Sequence, residues 1–541
     1  MNMKQTKIYP ALLLLALGTV SPRNAEAKVN DLLPYPHVVN QKQGSFLLNR
    51  SVQLNDATGN KALRQFLADN GCTTSNDAEA KVSVTITDNI EGAHDYTLAG
   101  FDNEAYTLDI TDNAISIKAV TAIGVTRAVQ TLTQLAEGYD DGAAPELELV
   151  SITDWPAFKL RGWMQDVGRS FLSVEELKKE IRLLSRFKVN VFHWHLTEKL
   201  AWRFQVNAYP ELTADRNMTR YPGKFYTQAE CREIEEYAAE HGITVIPEID
   251  MPGHSDVFTQ AMGFDMQSTR GRTALKKILD EVAATFTRAP YIHIGGDEVS
   301  IQAGFLEEMA GYVRNTLHRK VLLWNPLMNK GITSGIADMT QMWSANGKLV
   351  SGMPNIDCRY NYINHFDVYA DLVGIYKSNI YYAQQGSEEI AGTITATWND
   401  TKTETETDII RQNNQYANIL ASAERAWKGG GKQYIEQGGT TLPNSGEEYD
   451  EFADFERRFL FHKAHSLKEA PIPYVKQSNV HWRITEPFPN GGNASLILPP
   501  ERCSDDILPK SFTYNGTTYS TSIATGAGIY LRHIWHSLVP S

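Results

Sequence analysis

From Leu160 to Trp427 short apolar runs alternate with amphipathic stretches. Strands are predicted over Leu160–Val167, Val189–Leu196, Ile243–Ile249, Tyr291–Gly295, Val321–Trp324, Thr340–Trp343 and Ile390–Trp398. Between the first two, Ser173 and Glu176 form a capping box that opens a helix over Val174–Phe187, with Leu177, Ile181 and Leu184 on its buried side. Thr227 and Glu230 make a second box, and that helix stops at Gly242. A last helix is predicted over Ile409–Trp427, closed by Gly429-Gly430-Gly431. Repeated strand–helix units of this kind predict an α/β fold, a (β/α)8 TIM barrel, with a doubly wound sheet as the alternative. No Gly-rich phosphate loop follows any of the strands.

The flanks follow other patterns. Residues 28–150 mix period-two runs (Lys81–Thr87, Ala114–Lys118) with helices over Ala62–Ala68 and Ala122–Ala136, the latter with Val125, Val129, Leu132 and Leu135 on one face. That predicts a small α+β domain before a barrel at 151–465. From 470 to 541 the chain turns β-rich and turn-rich, as in Pro489–Asn493 and Tyr514–Gly516, a short tail that reads as an incomplete or atypical accessory segment. Residues 1–27 carry Lys4 and Lys7, the apolar run Ala11–Val20 and then Ala25-Glu26-Ala27. This is a signal-peptide pattern, too short to span a bilayer. It predicts export to a periplasm or secretion, with no integral membrane segment in the mature chain. Cys72, Cys231, Cys358 and Cys503 lie far apart without a CxxC, so disulfides are permitted but no pair is named.

Composition narrows the chemistry. A length of 541 residues implies two or three domains, and 42% hydrophobic content supports packed cores. A net charge of −13 argues against nucleic acid as a partner. Ten Trp suit a ligand with apolar faces, such as a sugar, although many tryptophans simply fill cores. The polar residues that stand out recur where predicted strands end: Arg161, Asp166, His193, His195, Glu198, Asp250, His254, Asp297, Glu298 and Asp400, with Trp324, Trp343 and Trp398. A barrel assembles its site from such positions. Adjacent Asp297 and Glu298 after two glycines supply the paired carboxylates that acid catalysis on a glycosidic bond requires. His193 and His195 share a strand face, but no third ligand accompanies them at metal spacing, so neither metal nor cofactor is expected.

The segments RGWMQDVGR (161–169), VFHWHLT (191–197), ITVIPEIDMPGHS (243–255), HIGGDEV (293–299) and ASAERAW (421–427) resemble the signatures of glycoside hydrolase family 20, the β-N-acetylhexosaminidases, in order and spacing. The resemblance implies an exo-acting, retaining enzyme that removes terminal β-linked N-acetylglucosamine or N-acetylgalactosamine from glycans. Glu298 would be the general acid and base, with its pKa raised by burial beside another carboxylate. Asp297 would orient the substrate's 2-acetamido group, which attacks C1 in place of a protein nucleophile and forms an oxazolinium. Arg161 would bind sugar hydroxyls, and Trp398 and Asp400 would stack on the ring and accept from a hydroxyl. Trp324 and Trp343 would surround the acetamido methyl, and Tyr362 would bond its carbonyl. Asp250, His254 and Glu198 would stand behind these, with His254 bonding Glu298.

Three places depart from the family pattern. TEKLAWR puts Glu198 and Lys199 where two carboxylates are usual, Tyr362-Ile-Asn364 stands for Tyr-x-Asp with His365-Phe-Asp367 nearby, and Asp400 replaces a Glu. They leave room for a relative that prefers a different hexosamine or releases a disaccharide, and for a retired barrel that binds glycans without cutting them.

Overall fold

The computed structural model describes residues 28–139, 143–364, 372–399, 402–435, 442–443, 445–472, 474 and 478, and the backbone of five short strands between 481 and 530. The predicted leader at 1–27, Asp400, the 365–367 segment and Cys503 lie outside these residues.

Eight parallel strands close on themselves: Leu160–Asp166, Val191–His195, Thr244–Glu248, Tyr291–His293, Lys320–Asn325, Met339–Met342, Asn355–Asp357 and Ile390–Trp398. The last pairs with both Leu160–Asp166 and Asn355–Asp357, which completes the barrel. Tyr362–Asn364 rejoins the wall beside Ala396–Trp398. The (β/α)8 barrel read from the pattern is therefore present, and the doubly wound alternative is not.

Period-two alternation divides the apolar residues into two cores. Leu160, Met164, Val191, Ile246, Tyr291, Leu322, Met339, Ile356 and Ile394 fill the interior. Their neighbours Trp163, Phe192, Val245, Ile292, Val321 and Leu323 face outward onto the helices.

The N-terminal domain is a seven-stranded mixed sheet with helices Lys61–Asp69 and Ala122–Leu135. It docks under the barrel through buried polar groups. Asp154 accepts from Lys188 Nζ (2.7 Å), Trp427 Nε1 (2.9 Å) and the Tyr106 hydroxyl (2.9 Å). Burial alone would raise this carboxyl, but Lys188 and His37 outweigh it and hold Asp154 at about 2. Glu104 is gripped by Arg127 and Arg161 at 2.6 Å each.

Two features were not legible in the pattern. The predicted helix over Ile409–Trp427 is two helices, Glu406–Gln412 and Gln415–Lys428, because Asn413 Nδ2 turns back to the Ile409 carbonyl (2.8 Å) and Asn414 adopts φ 44°. An 18-residue helix, Glu447–Ala464, packs Phe452, Phe455 and Phe459 inward and ties Arg458 to the buried Glu424 at 2.8 Å. No helix among the described residues is long and apolar enough to cross a membrane. Cys72, Cys231 and Cys358 are free thiols.

Candidate active site

At the C-terminal end of the barrel the inward-facing positions change from apolar to polar. Asp166 and His195 sit opposite each other in register, as do His195 and Glu248, and Glu248 and His293. Above them the loops bring Glu198, Asp250, His254, Asp297 and Glu298 together, and the rings of Trp324, Trp398 and Tyr362 border the same cavity. Trp398 lies 5.9 Å from each of the other two.

Asp297 and Glu298 are adjacent in sequence but differ in surroundings. Asp297 is 7% exposed, whereas the Glu298 side chain is 52% exposed. The two glycines explain how the chain achieves this. Gly295 (φ 65°) leaves room for Asp250, whose Oδ1 would lie 1.7 Å from a Cβ there. Gly296 (φ 107°) turns the chain, and Glu298 itself takes a left-handed φ of 58°, a conformation glutamate rarely adopts.

Behind Glu298 stands a line of charges. His254 Nε2 is 3.2 Å from Glu298 Oε2, and its Nδ1 is 2.8 Å from Glu198 Oε1. The Glu that replaces the family's usual acid thus reaches the histidine. Gly168 makes this possible, since a Cβ there would meet Glu198 Cβ at 2.6 Å. Burial disfavours charge on His254, but Glu198, Glu298 and Asp250 outweigh it and push its pKa up to about 12.

The protonation of the acid pair differs from the sequence expectation. Contact with the His254 cation holds Glu298 below the usual carboxylate range, because half-exposure gives too little desolvation to raise it. Asp297 is the raised one, through burial and the nearby Asp250. Burial also lifts Asp250, to about 6. Ligand-type atoms of Asp250, His254 and Asp297 lie within 4.8 Å of one another, so two buried acids and one histidine share a small volume, which favours the protonated form of the acids.

Arg161 requires a correction. It lies at the start of its strand, in the outward phase shared with Trp163. Its guanidinium is used by Glu104 (2.6 Å) and the carbonyls of Lys188 (2.9 Å), Phe158 (2.9 Å) and Lys159 (3.1 Å). That is the floor of the barrel. The arginine at the cavity is Arg169, three residues past the strand's other end. It pairs with Asp166 (2.8 Å) and Glu198 (2.5 Å), and its guanidinium carbon lies 5.1 Å from the Trp398 ring centre. The known direction of barrel strands, with sites at their C-terminal ends, would have favoured it.

Glu248 was also missed. It is fully buried at the barrel axis, and accepts from His193 Nε2 (2.8 Å), His195 Nδ1 (2.5 Å) and Trp324 Nε1 (2.7 Å). His293 Nδ1 lies 3.2 Å away. Of the HxH pair only His193 joins a group with ligand-type spacing: His193, Glu248 and His293 bring such atoms within 4.8 Å. His193 donates to Glu248, whereas His293 Nδ1 accepts the Gly295 N–H (3.0 Å).

Trp343 packs on the interior cluster and donates to the Pro326 carbonyl (3.0 Å), a place in the wall rather than free in the cavity. Lys199 is exposed on the tight hairpin beside Glu198.

Strand-end carboxylates, a stacked arginine and aromatic rings meet at one end of a (β/α)8 barrel, and comparison with known proteins assigns the family. Residues 30–155 match domain 2 of glycosyl hydrolase family 20, and residues 158–274 match its catalytic domain. The chain belongs to that family. It is 39% identical over 227 residues to a beta-hexosaminidase of Porphyromonas gingivalis, covering 36% of this chain and 29% of that protein. It is 32% identical over 274 residues to a beta-N-acetylhexosaminidase of Cellulomonas fimi, covering 45% and 54%. The chain thus spans no more than about half the length of either relative. A solved structure of a beta-N-acetylhexosaminidase from Bacteroides fragilis superposes with a TM-score of 0.63 at 26% identity, covering 75% of this chain and 93% of that one. The catalytic-domain match ends before Tyr291, so the placement of Asp297 and Glu298 rests on the structure itself.

Proposed function

We propose that the protein is an exo-acting, retaining β-N-acetylhexosaminidase that cleaves terminal β-linked N-acetylglucosamine or N-acetylgalactosamine from glycans, using the substrate's acetamido group as the nucleophile. The observation that carries this reading is the division between the two adjacent carboxylates: Glu298 half open and held by His254, Asp297 buried against Asp250. A protein nucleophile would have to reach C1 from the face opposite the acid. Asp297, next in sequence to the acid and sunk beneath it, is instead suited to receive an amide N–H.

In this reading the sugar lies over Trp398, and Arg169 donates to its hydroxyls. The acetamido group enters between Trp324 and Tyr362, with Asp297 bonding its N–H and Tyr362 its carbonyl. The amide oxygen attacks C1 as Glu298 protonates the leaving oxygen. With the cleft open to water, His254, 3.2 Å from Glu298, holds the proton that the acid needs. When the sugar covers Glu298 and excludes water, its carboxyl is raised and the proton passes from Nε2 to Oε2. Positive charge on the oxazolinium is met by the Asp250–Asp297 pair. Water, activated by Glu298, then opens the ring with retention at C1. A glycan-binding barrel without turnover would gain nothing from burying two acids together, a costly arrangement.

Glu298→Gln tests the role of the acid. The expected result is a loss of about a thousandfold or more on an unactivated disaccharide and a much smaller loss on an aryl glycoside whose leaving group needs little protonation, within the range general acids contribute. Equal losses on both would remove Glu298 from that role.

A further inference from the structure

The reaction outlined above does not use Glu248, yet among the described residues this side chain is tied to several parts of the site at once. It ends the strand Thr244–Glu248 at the barrel axis, with no exposure to solvent. A carboxylate taken so far from water is costly unless each oxygen is paired. Here each is. Oε2 accepts from His193 and His195. Oε1 accepts from the Trp324 indole and lies 3.2 Å from His293. Among the described residues its ion-pair partners are all histidines.

Each of these contacts leads to a different part of the cavity. Trp324 Nε1 is the indole's single donor, so its bond to Glu248 fixes the rotation of the ring that borders the acetamido space. His293 Nδ1 accepts the Gly295 N–H (3.0 Å), which pins the Gly-Gly turn before Asp297. His195 turns its other nitrogen toward Glu198 (3.7 Å), and Glu198 in turn meets His254 and Arg169. One line of alternating charge therefore runs Glu248, His195, Glu198, His254, Glu298, from the axis of the barrel to the cleft.

We propose that Glu248 is a positioning residue that orients Trp324 and keeps His195 an imidazolium, so that Glu198 stays fixed between His195 and His254 and the acid arm is held in place. His195 faces Glu248, Glu198 and Asp166, with the Trp398 ring edge-on at 4.9 Å. Burial disfavours charge on it, and these carboxylates overcome that and raise it well above the usual histidine value. His193 is driven the other way, to about 4, because burial outweighs Glu248 there, with the neighbouring histidines adding to it. With Gln at 248, an N–H would oppose the histidine N–H groups, His195 would lose its main anion, and Glu198 would lose one of its cations.

This inference rests on the hexosaminidase reading only for its kinetic arm. In the wild-type protein, nitrogen-15 NMR of labelled histidine at pH 7 should show His195 as an imidazolium, assigned by its loss in His195→Gln. In Glu248→Gln the same signal should become neutral. A neutral His195 in the wild type, or an unchanged imidazolium in Glu248→Gln, would overturn the proposal whatever the enzyme hydrolyses. On turnover, Glu248→Gln should lower kcat on an unactivated N-acetylhexosaminide disaccharide by ten- to a hundredfold. On an activated aryl glycoside kcat should fall less than threefold, while KM rises severalfold as Trp324 loosens. A merely structural role would lower both rates together through the folded fraction and leave KM unchanged, and that pattern would contradict the proposal. If Glu248→Gln does not fold, His195→Gln carries the kinetic test, because Glu248 keeps His193 and Trp324. It should reproduce the split in kcat between the two leaving groups without the change in KM, and equal losses on both would again reject the line of charge.

Discussion

Arg161 and Arg169 belong to one sequence motif and end up at opposite ends of one strand. Asp166 lies five positions beyond Arg161, roughly 16 Å at the rise of a parallel strand. Arg169 should therefore report on sugar and Arg161 on stability. Arg169→Lys keeps the charge but loses the planar fork that faces Asp166, Glu198 and a sugar at once. KM for an aryl N-acetylhexosaminide should rise at least tenfold with little change in melting temperature. Arg161→Met should leave KM unaltered and cost about 3–5 kcal/mol in denaturant unfolding, since Glu104 loses one of its two buried cations. The opposite pairing of effects would return Arg161 to the sugar. Asp297, Glu298 and His254 were visible in the sequence because each sits just past a strand with glycine or proline around it, and Glu198 because it follows the HxH strand closely. Glu248 was hidden inside the IPEID run, where a buried carboxylate resembles any strand-end polar residue until its histidine partners, distant in sequence, are seen.

At the scale of elements, the repeated strand–helix pattern was readable because two cores force every other strand residue to be apolar in each phase. What could not be read were features decided by tertiary contact. The break at Asn413-Asn414 depends on side-chain bonds to the preceding turn, and the Glu447–Ala464 helix carries too many charges for a clear stripe until Arg458 is seen to meet Glu424. The helix Val174–Ser185 contributes a second polar anomaly. Glu180 is fully buried and accepts from Trp163 Nε1 (3.3 Å) and Gln415 Nε2 (2.9 Å), with no cation close enough to prevent burial from raising its carboxyl to about 8. A carboxyl raised on folding binds its proton more tightly in the native state. Its share of stability is then complete below the unfolded value near 4.5 and is lost progressively as pH rises toward about 8. Glu180→Gln keeps the shape and removes that titration. Its melting temperature should match the wild type near pH 4.5 and exceed it at pH 8. Parallel curves across that range would mean that Glu180 is not held neutral.

For the whole molecule, the sheet domain and the barrel are joined by charges that water does not reach. Asp154, on the last strand of the sheet, is held at about 2 against a usual 3.8, so its contribution is complete above pH 3.8 and is lost as pH falls toward 2. Asp154→Asn strands the buried Lys188 and should cost about 3–5 kcal/mol at neutral pH, with the difference from wild type shrinking in acid. A constant difference down to pH 2 would remove Asp154 from that role. The barrel so anchored presents its cavity at the far end of the strands, and the central claim about that cavity concerns where the nucleophile comes from. The most direct test compares kcat/KM for two aryl β-glycosides that differ only at C2, one carrying an acetamido group and the other a hydroxyl. With the amide oxygen as nucleophile, the acetamido substrate should be favoured by at least about a thousandfold, the order that a well-placed intramolecular group supplies. Comparable turnover of the two, or a covalent glycosyl adduct on Asp297 or Glu298 under single-turnover conditions, would contradict the account.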